Sequence, residues 1–352
     1  MMRTSNRTLL ALLVSVMAGA AAQPGQAENS SWFWKSDDKP AQSVAPPKTA
    51  PSASKPVEVK KTAPTLVPAT GDDAAYTAFD QGQYLTALKL AEAAAAAGEP
   101  QAHTLIARIY AEGLGVPRDE KTAVNWYARA AEKGDVQGTF ALGLMLAQGR
   151  GVEKNREAAA RMFEKAALTG HAEANYNLGV LFLKGDGKPE NPARAFQHIR
   201  YAAEKGVTQA QYDVAALYQG GTGTEPNAME SARWLSRAAE KGFAAAEYDY
   251  GVMLLKGFGL TKDEPKAVTY LKSAATKGIA GAQNRLAYIY VEGIGTDKDP
   301  VEAAKWRLIA QKNGIEDKTL DDMVAKLPKA DRAKAEAAAS EWNDRIQVQT
   351  FE

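Results

Sequence analysis

A two-glycine turn returns six times in this chain at a fixed step of 36 residues: Gly113-Leu114-Gly115, Gly149-Arg150-Gly151, Gly185-Asp186-Gly187, Gly221-Thr222-Gly223, Gly257-Phe258-Gly259 and Gly293-Ile294-Gly295. A second glycine series, Gly98, Gly134, Gly170, Gly206, Gly242, Gly278 and Gly314, keeps the same step. Two such marks per period, with no slip over six units, restrict the chain to a repeat array whose units stack on their neighbours. The length of 352 residues would otherwise suggest two ordinary domains, but stacked repeats can use it as one body.

Alignment by the 36-residue step gives each position a purpose. In the first helix of each unit two positions are always small: Ala102, Gly138, Ala174, Ala210, Ala246 and Ala282, then Ala107, Gly143, Gly179, Ala215, Gly251 and Ala287. Small residues there let helices approach closely. Ala174, Leu178, Leu181 and Phe182 fall on one apolar helix face in the third unit. The second helix begins after Asp119, Asn155, Asn191, Asn227, Asp263 or Asp299, each able to accept from free backbone N–H groups of the first turn. Pro192 and Pro300 follow their caps where a missing N–H costs nothing. Ala130, Ala166, Ala202, Ala238, Ala274 and Ala310 form an unbroken alanine column. The closing glycine of the second series suits a left-handed helix terminus.

The predicted fold is therefore all-α: a right-handed α-solenoid of antiparallel helix pairs, with six full repeats, a divergent N-terminal pair and a C-terminal cap. The repeats and the divergent pair occupy residues 72–314, and the cap 315–352. Lys318 stands where the repeat wants a small residue, so the last segment is no seventh copy. An open end of such a stack would expose core, and a polar-backed cap is the physical expectation.

Residues 1–27 read as a secretory signal peptide, with Arg3 and Arg7 before the apolar run Leu9 to Val16, and cleavage after Ala22 or Ala27. Residues 28–71 are rich in Pro, Ala, Ser and Lys and read as a flexible tether carrying one aromatic cluster, Trp32-Phe33-Trp34, which is either incidental or a docking peptide. No later segment is apolar enough to span a bilayer. Cysteine is absent, which removes disulfides, thiolate chemistry and a lipid anchor at the cleavage site. The expected location is outside the cytoplasm: periplasmic, or fully secreted. A net charge of +1 supplies no field for nucleic acid.

The run Ala172-Glu173-Ala174-Asn175-Tyr176-Asn177-Leu178-Gly179, followed by Gly185-Asp186-Gly187 and by Ala195 to Gly206, resembles the Sel-one-like repeat family, a branch of the tetratricopeptide-type helical repeats. The resemblance covers about residues 73 to 314. It implies an adaptor that assembles protein complexes; bacterial exported members include periplasmic regulators and host-interaction factors. One cysteine-rich group is linked to β-lactam hydrolysis, and its paired cysteines are missing here.

Chemistry is poorly represented. The G-x-G turns follow helices and not strands, unlike a dinucleotide-binding loop. Ser36-Asp37-Asp38-Lys39 and Ser52-Ala53-Ser54-Lys55 match the S-x-x-K pattern only formally, inside the tether. His103, His171 and His198 have no partner at metal-ligand spacing. No catalytic residue, metal or cofactor is expected, and the chain is read as a non-enzymatic scaffold.

Partner binding is expected on the concave face lined by the first helices. In the third repeat that stripe is Glu173, Tyr176, Val180 and Leu183. Phe140, Tyr176, Tyr212 and Tyr248 make an aromatic ladder one repeat apart, suited to an extended peptide or a sugar chain, or else to packing between units. Thr104 and Asn284 end the ladder, while Arg108 and Tyr288 depart from Leu144, Val180, Ala216 and Val252. The candidate contacts are thus Arg108, Phe140, Glu173, Tyr176, Tyr212, Tyr248 and Tyr288. The expected partner is a protein, with cell-wall material or exopolysaccharide as the alternative.

Overall fold

The computed structural model describes residues 72–349. The segments read as a signal peptide and as a tether with Trp32 to Trp34, together with both S-x-x-K matches, lie outside the described residues. Among the described residues there are sixteen helices and no strand. They are α1 (Asp72–Asp80), α2 (Tyr84–Ala96), α3 (Pro100–Glu112), α4 (Glu120–Glu132), α5 (Val136–Gln148), α6 (Arg156–Ala167), α7 (Ala172–Lys184) and α8 (Pro192–Glu204). The series continues with α9 (Thr208–Gly220), α10 (Ala228–Glu240), α11 (Ala244–Lys256), α12 (Glu264–Thr276), α13 (Ala280–Glu292), α14 (Pro300–Lys312), α15 (Lys318–Lys326) and α16 (Lys329–Gln349).

The local chemistry is the same in the six pairs from α3–α4 to α13–α14. The first helix ends on a left-handed glycine, as at Gly257 with φ +65°. The chain then turns so that the cap residue's own amide donates back to the helix just left. Asn191 N bonds Phe182 O at 2.9 Å, Asn227 N bonds Tyr218 O at 2.8 Å and Asp263 N bonds Leu254 O at 3.0 Å. The same cap residues accept from the new helix: Arg194 N to Asn191 Oδ1, Glu230 N to Asn227 Oδ1 and Lys266 N to Asp263 Oδ1, each 3.0 Å. One short residue thereby satisfies both sides of the turn, which fixes its length in every repeat.

The second glycine of each turn has a packing role. Gly223 has φ +74°, and a Cβ there would run into the carbonyl of Pro192, the first residue of the preceding second helix. Gly151 meets Glu120 and Gly259 meets Ala228 in the same way. Each of these turns therefore rests directly on the helix start of the repeat before it, and only a residue without a Cβ permits that approach.

The described residues divide between Lys165 and Ala166 into two compact units. In the first, α1, α2 and α3 enclose Phe79, Leu88, Leu105, Ile106 and Ile109, while α3, α4 and α5 enclose Ala107, Tyr127, Leu142 and Met145. A Cβ on Gly143 would lie 2.7 Å from Phe163 Cε1, so the glycine makes room for a buried ring. In the second unit, helices from α7 onward pack pair on pair. Gly179 faces Ile199 and Gly251 faces Leu271 by the same small-against-large pairing. The alanine column is fully buried, from Ala202 through Ala238 and Ala274 to Ala310.

At the end of the second unit α16 packs along α14, where Trp342 meets Trp306 edge-on with ring centroids 6.0 Å apart. Arg307 lies in the column otherwise filled by Tyr127, Phe163, Ile199, Leu235 and Leu271, yet is only 1% exposed. It donates through Nε and Nη2 to Asp321 of α15 at 2.6 and 3.1 Å, and through Nη1 to Asn284 Oδ1 and Ile315 O, both 3.0 Å. A guanidinium has five donors in a planar fork, and here the core position of the last repeat uses them to fasten the cap.

Candidate functional site

The first helices carry the expected binding stripe, and burial divides it sharply. In α7, Glu173 is exposed, but every residue from Ala174 to Leu183 is buried, including Tyr176, Val180 and Leu183. The same holds from Ala245 to Leu254 in α11. A helix buried all round is surrounded by neighbours, so these positions act first as packing.

The tyrosines of the ladder are joined to the next repeat by their hydroxyls. Tyr176 Oη donates to Asp213 Oδ2 at 2.7 Å, and Tyr212 Oη donates to Asp249 Oδ2 at 2.9 Å. The third, Tyr248, places its hydroxyl beside Gly281, where a Cβ would sit 3.2 Å away. Tyr176, Tyr212 and Tyr248 are 1%, 5% and 8% exposed, so none offers an open ring face. Phe140 is half-buried and tilts against Phe163 at 5.8 Å.

The carboxylates that accept these bonds escaped the sequence reading, although both follow a ladder tyrosine directly. Burial pushes Asp213 up from 3.8 to about 7, against the lowering effect of its bonds to Tyr176 and Gln209. Burial likewise pushes Asp249 up to about 8, with the Tyr212 bond opposing it. Tyr176 is itself raised well above 10, first by burial and then by the adjacent Asp213.

The positions that depart from the repeat make contacts near the ends of the array. Tyr288 is half-buried and donates to Asp317 Oδ1 at 3.0 Å, and Asn284 Nδ2 donates to Asp317 Oδ2 at 2.9 Å. Asp317 in turn caps α15 through Leu320 N. Arg108 is exposed, bonds Glu112 at 2.8 Å and lies 4.7 Å over the Phe79 ring of α1. Thr104 Oγ1 donates to Asp135 Oδ2 at 2.6 Å. Of the candidate contacts, Arg108 and Glu173 stand in solvent, Phe140 and Tyr288 are half-covered, and the three ladder tyrosines are enclosed.

Each histidine is used structurally. His103 Nδ1 meets Glu99 O at 2.9 Å, His171 Nδ1 accepts from Ala174 N at 3.1 Å as a helix cap, and His198 pairs with Asn175 Oδ1 while stacking on Phe182. Among the described residues no three His, Cys, Asp or Glu side chains gather where they could hold a metal. A cleft of 560 Å³ beside Tyr250 and Leu254 is lined by Leu260, Lys262, Asp263, Glu264 and Lys266. Asp263 is occupied in capping α12 and Glu264 in pairing with Lys262 at 2.7 Å. That lining holds no nucleophile paired with a base.

A family model described as Sel1 repeat matches residues 100–135, 136–171, 172–207, 208–243, 244–279 and 280–308. Among solved structures, the chain is similar to a Sel1 repeat protein from Oxalobacter formigenes, with 29% identity, 71% of this chain and 100% of that chain covered, and a TM-score of 0.60. It is also similar to c5321, a protective antigen present in uropathogenic Escherichia coli strains and displaying an SLR fold, with 25% identity, 80% and 70% covered, and a TM-score of 0.54. No match was found among curated proteins.

Proposed function

The chain belongs to the Sel1 repeat family, and from that membership we propose that it is a non-enzymatic scaffold of the cell envelope that binds a protein partner along the first-helix face. Sel1 repeats generally mediate protein–protein interaction, and six of them follow one another here in phase. The observation that carries the reading is this repeat architecture together with first helices on which Arg108, in the first unit, and Glu173, in the second, remain exposed. Phe140 of the first unit and Tyr288 of the second are half-covered rings on their own first helices. Tyr176, Tyr212 and Tyr248 act beneath it, holding the repeat spacing that a partner would read. Stacking on a sugar chain needs an exposed ring face, which these three do not present, so the protein-binding reading is the one advanced.

Export rests on residues 1–27, and similarity to a protective antigen is in keeping with it. Cell fractionation with N-terminal sequencing of the mature chain tests it. A new N-terminus at Gln23 or Glu28 in the periplasmic or culture fraction is expected. Full-length protein confined to the cytoplasm would overturn the envelope assignment. The partner-binding claim is tested by affinity capture from envelope extract with residues 28–352 as bait, beside a bait in which Arg108→Glu and Glu173→Lys are combined. Loss of a captured protein with the folded variant is expected.

A further inference from the structure

Asp213 and Asp249 occupy one repeat position, on α9 and α11. The same position is Asn177 in α7 and Arg285 in α13. Both acids are buried, 5% and 2% exposed, and each accepts the hydroxyl of the tyrosine 37 residues earlier. Gln209 of α9 adds a bond to Asp213 Oδ1 at 3.0 Å, whereas Asp249 Oδ1 has no hydrogen-bond partner among the described residues. This contrasts with Asp321, which meets a guanidinium through both oxygens.

The surroundings contain little positive charge to balance an ionised carboxyl. The groups that act on Asp213 are Tyr176 and Lys184 of α7 and Gln209 of its own helix. On Asp249 the group that acts, among the described residues, is Tyr212 of α9. Helices α8, α10 and α12, which pack against α9 and α11, contribute no charged group to either carboxyl. A neutral carboxyl in such a site has only its own O–H left to place, but an anion there has lost its water without gaining a counter-charge.

We propose that the Tyr176–Asp213 and Tyr212–Asp249 pairs form a proton-operated latch between successive first helices, closed while the acids are neutral and loosened as they ionise. The sign follows from linkage. In the closed state the carboxyls hold their protons up to about 7 and about 8, whereas once opened to water they ionise near 3.8. Opening is therefore least favoured in acid and grows as pH rises, until the closed-state values are reached. A partner that reads the spacing of the first helices would thus meet a tighter surface in mildly acidic surroundings than above neutrality.

Two measurements on the whole chain decide the matter. Carboxyl carbon NMR titration, assigned with Asp213→Asn and Asp249→Asn, is expected to show both groups titrating above about pH 6. Amide exchange in α9 and α11, corrected for intrinsic rates, is expected to accelerate by roughly tenfold per pH unit between about pH 5 and pH 7 where opening exposes one carboxyl. Asparagine is the residue of the same column at 177, and the double variant should exchange without this pH dependence. Titration of both carboxyls below about pH 5, or an unchanged acceleration in the double variant, overturns the latch. Should the double variant fail to fold, the titration of the unsubstituted protein decides alone.

Discussion

At Gly223 the backbone is left-handed and a methyl group would meet the Pro192 carbonyl, so Gly223→Ala combines two penalties. The conformational part is worth about 1–2 kcal/mol. Displacing a neighbouring backbone adds roughly 1–3 kcal/mol. A clear fall in the urea midpoint is expected, and a change under about 0.5 kcal/mol would contradict the packing role given to the second glycine. His171 makes a residue-scale prediction in pH. Its pKa is lowered from 6.5, first by burial, and Nδ1 must stay unprotonated to accept from Ala174 N. The unfolded side chain takes a proton first as pH falls, so the cap's contribution is complete above 6.5 and is lost through the lower folded value. Ala174 amide protection should decline with acid in the native chain and stay level in His171→Asn, which keeps a cap acceptor without titrating. The direction is opposite to that at Asp213 and Asp249, so the two effects separate by site and by sign.

Between elements, the clearest dependence is that of α15 on Arg307. Removing Asp321 leaves a buried guanidinium without its anion, and breaking such a pair costs about 3–5 kcal/mol. Asp321→Ala should therefore free α15 and α16 to early proteolysis. Arg307→Leu restores the residue found at 235 and 271 in the same column, and should cost less than Asp321→Ala. The reverse order would show that the cap depends on apolar contacts such as Trp306 with Trp342 and not on the ion pair. Caps, turn glycines and the small columns were legible in the sequence because each is a local rule repeated 36 residues apart. Arg307 was not singled out, because the rule that charges face water conceals a charge in an apolar column until the cap that meets it is placed.

Across the whole molecule, the architecture was written in the repeat, whereas the site was only half legible. Periodicity placed Tyr176, Tyr212 and Tyr248 on one line, but it does not tell a tyrosine that faces a groove from one that reaches the next repeat. That distinction depends on acceptors 37 residues away, Asp213 and Asp249, which polarity alone assigns to the surface. The finding also changes which substitutions probe binding. Truncating a buried tyrosine to alanine costs several kcal/mol and confounds folding with recognition, while Arg108 and Glu173 can be reversed in solvent. The measurement that tests the account most directly is the paired capture from envelope extract with native bait and with the Arg108→Glu, Glu173→Lys variant, after circular dichroism has shown equal helicity and melting. The account predicts a protein held by the native chain and lost with the variant. Capture of the same set by both would contradict binding through the first-helix face.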